Sequence, residues 1–165
     1  LPLAEVADFD AVLADVRWPE GATRVLDAAR HAGKPAVLDG DIGPVEVLRD
    51  LATRVTHAIF SEIGLAQATG ERDAVAGLHA MAAHTRAIIG VTLGAQGTQW
   101  LEHGQLHAAA APEVHAVDTL GAGDVFHGAF TLALAEGATT TGAMQFANAA
   151  AAIKCARFGG RRGAP

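Results

Sequence analysis

The stretch DTLGAGDVFHGAF, residues 118–130, sets Gly121, Gly123 and Gly128 among two aspartates and ahead of an apolar run. Neither of the familiar phosphate-binding glycine patterns fits it. A dinucleotide turn needs G-x-G-x-x-G directly after a first strand, whereas here the third glycine falls too late and the segment lies near the C-terminus. A P-loop needs G-x-x-x-x-G-K-[ST]; Gly123 and Gly128 have that spacing but are followed by Ala129 and Phe130. What remains is physical. Val125, Phe126, Ala129, Phe130 and Ala133 form one apolar helix face, so a helix is predicted to begin near Gly121–Gly123. The first turn of a helix has spare N–H donors with the positive end of the dipole behind them, which makes an anion hole. Asp124 then sits beside that hole. It either stabilises the helix start or acts as a base that takes a proton from a hydroxyl as that hydroxyl attacks phosphorus.

The elements that must position these residues follow from periodicity. Short apolar runs at 10–16, 35–41 and 55–62 read as buried strands. Helical spacing appears over 20–33, 44–53, 65–70 and 72–85, with Gly33 and Gly70 as stops. Residues 87–111 read as strand, Gly-rich turn, strand, turn, strand, and two Ala-rich helices follow at about 122–136 and 139–156. Strands alternating with helices predict an α/β unit over residues 1–165: a mostly parallel sheet with helices on both faces. In such a fold ligands bind beyond the carboxyl ends of the strands. The polar residues there are Asp15 with Arg17, Asp39 with Asp41, Ser61 with Glu62, and Thr92 through Gly97.

Half the residues are apolar and 18% are charged, which excludes disorder. A net charge of −6 with scattered basic residues argues against a nucleic-acid surface, Arg161-Arg162 being the one local exception. No apolar run approaches the ~20 residues that cross a bilayer, and no secretory leader is visible. The single cysteine, Cys155, points to a cytoplasmic protein. The ends, LPLAEV without Met and GGRRGAP, suggest a piece of a longer protein.

With those residues in view, DTLGAGDVFHGAF resembles the C-terminal signature of the ribokinase-like (PfkB) sugar kinases, in which a G-A-G-D turn carries the catalytic aspartate. VTLGAQG (91–97) resembles the family's T-x-G-x-x-G turn beside the nucleotide. FANAAAAIKCARFGG (146–160) resembles its terminal helix and loop, and FSEIGLAQATG (60–70) its N-x-x-E segment. The match is to the C-terminal half of such chains, without the sugar-contacting half and its β lid.

The resemblance implies a three-layer α/β/α sandwich and ATP-dependent phosphorylation of a small carbohydrate hydroxyl. Asp124 would be the base, with Gly121, Ala122 and Gly123 supplying anion-hole amides. Thr92, Gly94, Gly97, Asn148 and Ser61 would line the nucleotide. Glu62 would reach Mg²⁺ through water, because Gly64 stands where the metal-linked glutamate is expected. Carbonyls around Asp118 and Leu120 would be candidates for K⁺. The partners implied are a sugar and ATP, with a homodimer formed through the lid region. The alternatives are a nucleotide-binding fragment without catalysis and a nucleoside kinase of the same fold. LADVRWPEG also resembles a subgroup that includes ketohexose and sulfo-sugar kinases.

Other motifs carry less. His103 and His107 fall in a hairpin without the glutamate of a zincin. His127 reads as a packing or hydrogen-bonding residue, and no G-x-S-x-G supports a hydrolase.

Overall fold

In the computed structural model, which describes residues 1–165, six strands form one sheet in sequential order. They are β1 (Val12–Asp15), β2 (Ala36–Gly40), β3 (His57–Ser61), β4 (Ile88–Thr92), β5 (Thr98–Glu102) and β6 (Gln105–Ala109). β1 to β4 run parallel; β5 and β6 turn back as antiparallel neighbours. The helices are α1 (Pro19–His31), α2 (Val45–Ala52), α3 (Glu62–Thr69), α4 (Ala74–Ala82), α5 (Ala122–Ala135) and α6 (Thr140–Cys155). The α/β/α layering expected from the sequence is therefore present.

Because the parallel strands step in one direction, right-handed crossovers place α1 to α4 on a single face. There Leu26, Leu48, Leu65 and Leu78 pack against Leu38, Phe60 and Val91. The other face falls to α5 and α6, whose Phe126, Phe130, Met144 and Ala147 meet Val37, Ile59 and Trp100. Strand alternation sorts the side chains: Ala58 and Phe60 join one core, and Ile59 between them joins the other. No helix is long and apolar enough to cross a membrane.

Two local features differ from the sequence reading. A 3-10 segment at Leu3–Asp8 was not anticipated. α3 begins at Glu62 rather than near residue 65, because Ser61 caps it by accepting the Gly64 N–H at 3.0 Å. The consequence for function is that β3 ends at Ser61 with no intervening loop. Asp15, Asp39 and Asp41, Ser61 and Thr92 thus lie at or just beyond the carboxyl ends of successive strands, paired Asp15 with Asp39 and Ser61 with Thr92 in register.

His57 sits at the opposite end of β3, edge-on to Phe130 with ring centroids 5.5 Å apart. Burial pushes its pKa down to about 4, opposed weakly by the charge of Glu102. Between that value and the ordinary 6.5, the unfolded chain binds a proton that the folded chain does not. The contribution of His57 to stability is therefore complete above about pH 6.5 and falls as the pH drops toward 4, by up to roughly 3 kcal/mol. Urea unfolding at pH 7 and pH 4.5 measures this. His57→Gln should flatten that part of the dependence, and an unchanged dependence in the variant would remove the assignment.

Candidate functional site

α5 starts with no side-chain cap; its N-cap is Gly121, held at φ +77°, a left-handed conformation that side chains oppose. The turn leaves backbone donors bare. The amide of Ala122 is spent on the Thr119 carbonyl at 3.1 Å, and that of Val125 on Gly121 at 3.0 Å. The N–H groups of Gly121, Gly123 and Asp124 have no acceptor within the chain. Of the three amides expected to form an anion hole, those of Gly121 and Gly123 are free, that of Ala122 is taken by Thr119, and that of Asp124 is free as well. The Asp124 carboxylate is exposed and enters none of the chain's side-chain hydrogen bonds or ion pairs.

One buried residue fixes this helix start to the sheet. His127 is 3% exposed, with its ring nitrogens 2.8 Å from the Gly123 carbonyl and 3.1 Å from the Ile59 carbonyl. Its Nδ1 also lies 3.5 Å from Asp39 Oδ2. The packing and hydrogen-bonding role read from the sequence is what it performs, across three elements at once. Asp39 is held above the usual carboxylate range, chiefly by burial, then by the like charges of Asp41, Asp124 and Asp15, with His127 opposing.

Asp124 forms a wall shared by two cavities. One, of about 430 Å³, is lined by Leu13, Asp15, Trp18, Asp39 and His127 as well. The other, of about 420 Å³, is lined by Leu120, Gly121, Gly160 and Arg161. The first is partly apolar and acidic, which suits a neutral polyhydroxy molecule. The second brings an arginine and free amides together, which suits phosphate. Arg161 is a residue the sequence reading passed over, although the Arg161-Arg162 pair was its only concentrated positive charge.

The remaining expected residues divide. Ser61 and Thr92 are register partners at the ends of β3 and β4. Ser61 Oγ donates to Asp41 Oδ1 at 3.1 Å, and Thr92 Oγ1 donates to the Phe60 carbonyl at 3.4 Å. Gly94 lies in a single 3-10 turn, Gly94–Gln96, closed by the Gln96 N–H donating to the Leu93 carbonyl at 3.1 Å and spanned by the Leu93 N–H donating to the Gly97 carbonyl at 2.8 Å. Asn148 is buried elsewhere in function: its Nδ2 donates to Thr98 Oγ1 at 3.2 Å and to the Ala109 carbonyl at 3.0 Å. It ties α6 to β5 and β6, a role its expected place beside the nucleotide did not foresee.

Glu62 is the exposed first residue of α3 and forms no ion pair. No group of three His, Cys, Asp or Glu side chains converges on a metal position. Mg²⁺ commonly takes only one or two carboxylates and otherwise binds substrate phosphates and water, so this donor set fits a metal that arrives with a nucleotide. At Gly64, an added Cβ would collide with the Gly40 carbonyl. A glutamate at this position would therefore require the backbone of α3 or of the end of β2 to shift. At the expected cation position, the Asp118 carbonyl accepts from Lys154 Nζ at 2.7 Å.

Comparison with known proteins places the family and the fold. The family model described as pfkB family carbohydrate kinase matches residues 3–165. The ribokinase of Haemophilus influenzae is 28% identical over 98% of this chain and 55% of its own length. A crystal structure described as a candidate ribokinase from Agrobacterium tumefaciens superposes with a TM-score of 0.95 at 47% identity, covering 100% of this chain and 55% of that one. The ribokinase of Arabidopsis thaliana, solved with ribose and ATP, gives a TM-score of 0.86 at 25% identity over 99% of this chain and 55% of that one. The chain therefore spans about half the length of the relatives it matches.

Proposed function

Because the chain belongs to the pfkB family of carbohydrate kinases, we propose that it carries the catalytic base and the phosphate-binding side of an ATP-dependent sugar kinase. The observation that carries this reading is Asp124, an unpaired carboxylate at an amide-bearing helix start, facing two cavities of opposite character. The acceptor hydroxyl enters from the cavity of Asp15, Asp39 and Trp18. Asp124 takes its proton as the oxygen attacks the γ-phosphorus, and the bond from phosphorus to the bridging oxygen of ADP breaks.

The free amides of Gly121, Gly123 and Asp124 hold the developing negative charge, with Arg161 beside them. His127 keeps the helix start fixed against β2 and β3, so that the base and the amides stay in register. Thr92, Gly94 and Gly97 border the nucleotide. Mg²⁺, when bound with ATP, supplies charge neutralisation on the phosphates, and Glu62 would hold it through water. The Arabidopsis relative's ribose and ATP support a small sugar as acceptor.

A second reading is favoured by the chain's covering only about half of its relatives: these residues bind nucleotide and do not turn over alone. The test is paired. The whole protein is assayed with labelled ATP against a panel of pentoses, hexoses, sulfo-sugars and nucleosides, and this chain alone is titrated calorimetrically with ATP. Phosphorylation of a sugar by the whole protein is the expected result. Transfer to nucleosides only would reassign the acceptor, and no transfer to any alcohol would reject the kinase reading.

A further inference from the structure

Lys154 is a charged side chain in an uncharged person's place: the interior of the last turn of α6. It is 0% exposed. Its Nζ donates to the Asp118 carbonyl at 2.7 Å and lies 3.7 Å from Asp118 Oδ2. An ammonium leaves water only when oxygens receive it, and the oxygen that receives this one is the carbonyl that family resemblance assigns to a monovalent cation. Two neighbouring carbonyls are already used by protein donors, whereas the Leu120 carbonyl accepts none. The Cys155 carbonyl accepts from Val117 N at 2.8 Å and from Asp118 N at 3.1 Å, and the Gly159 carbonyl accepts from Gly163 N at 2.7 Å. The Asp118 carboxylate accepts from the Leu120 and Gly159 amides, each at 2.9 Å. Those two bonds, first that of Leu120, hold its carboxyl below the usual range, and Lys154 adds to the effect. With the ammonium on the Asp118 carbonyl, a K⁺ ion there would have to displace a buried positive charge.

We propose that the Lys154 ammonium is the built-in cation of this site, so that the protein needs no K⁺ or other monovalent ion. A second cation on the Asp118 carbonyl would share a low-dielectric space with the ammonium and be repelled by it. The purpose of the charge is structural and local to the reaction. Through Asp118 it gathers the turn that leads to Gly121 and Asp124, and the loop after α6 that carries Arg161. A free ion would do this only while bound, whereas a side chain does so permanently.

The test uses the whole protein at constant ionic strength in KCl and in tetramethylammonium chloride. Its activity arm rests on the kinase reading; its unfolding arm does not. The wild type should keep its turnover within about 2-fold and its thermal midpoint within about 2 °C between the salts. Lys154→Met should unfold several degrees lower in tetramethylammonium and recover part of that loss, together with more than about 2-fold in turnover, when K⁺ fills the vacated position. A wild type activated more than about 2-fold, or stabilised by more than about 2 °C, by K⁺ overturns the proposal. So does a folded Lys154→Met that K⁺ neither stabilises nor activates. If that variant does not fold, the wild-type comparison decides alone. If no sugar is phosphorylated in either salt, the kinase reading fails and the wild-type midpoints still decide this one.

Discussion

Replacing Asp124 by Asn should lower the turnover of the whole protein by about 10³-fold or more, while ATP affinity stays within about 3-fold of wild type. The substitution keeps the shape and removes the negative charge, and with it the ability to accept a proton. Asp124 is exposed, so the fold loses little with it. Its backbone N–H, part of the proposed phosphate-binding turn, is unchanged. One like charge also leaves the neighbourhood of Asp39, whose carboxyl should move back toward the ordinary range. Steady-state kinetics with calorimetric ATP binding separate the possibilities. Near-normal turnover would remove Asp124 as the base, and a parallel loss of ATP binding would make it a nucleotide-binding residue instead.

The second large effect runs against intuition. Gly64→Glu restores the residue type that the family resemblance expects, yet it should destabilise the chain by roughly 3 kcal/mol or more. Gly64 is buried in the first turn of α3, and its N–H donates to Ser61 Oγ. A Cβ there meets the Gly40 carbonyl, and the Asp41 carbonyl lies 3.0 Å away. Both obstacles are backbone of the segment that ends β2, which cannot swing aside as a side chain can. Relief requires α3 to lift off the sheet, at the cost of the contacts of Leu65 and Ala68. Gly64→Ala should lose nearly as much, since the collision begins at Cβ rather than at the carboxylate. Denaturant midpoints for both variants decide the matter. A Glu variant within about 1 kcal/mol of wild type would refute the steric account.

The fold was largely legible in the chain because its signals are local. Apolar runs bounded by turns marked the strands, and glycine stops and helical spacing marked the helices. The start of α3 was read too late because Ser61 ends a strand and caps a helix at once, and the apolar pattern becomes helical only after that cap. The site was legible in part. Asp124 and the glycines before it stood out in a turn that breaks the apolar pattern and then hands over to an amphipathic helix, while the pattern left Asp124 open between stabilising the helix start and acting as a base. The identity of the free amides could not, because the Ala122 N–H is lost to Thr119 only through the left-handed bend at Gly121. Asn148 ties α6 to the antiparallel strands, a partnership 50 residues apart that no spacing rule reveals.

By itself, then, the sequence determined the order of elements, the α/β layering and the position of one acidic residue at a glycine-rich helix start. These depend on short-range periodicity and on backbone chemistry within a few residues. Tertiary structure decided what surrounds that residue: His127 bridging three elements, the acidic cavity on one side and Arg161 on the other, the backbone wall at Gly64, and Lys154 buried on Asp118. Each of these joins groups far apart in the chain, and their meeting is set by strand order and helix packing, which no local pattern encodes.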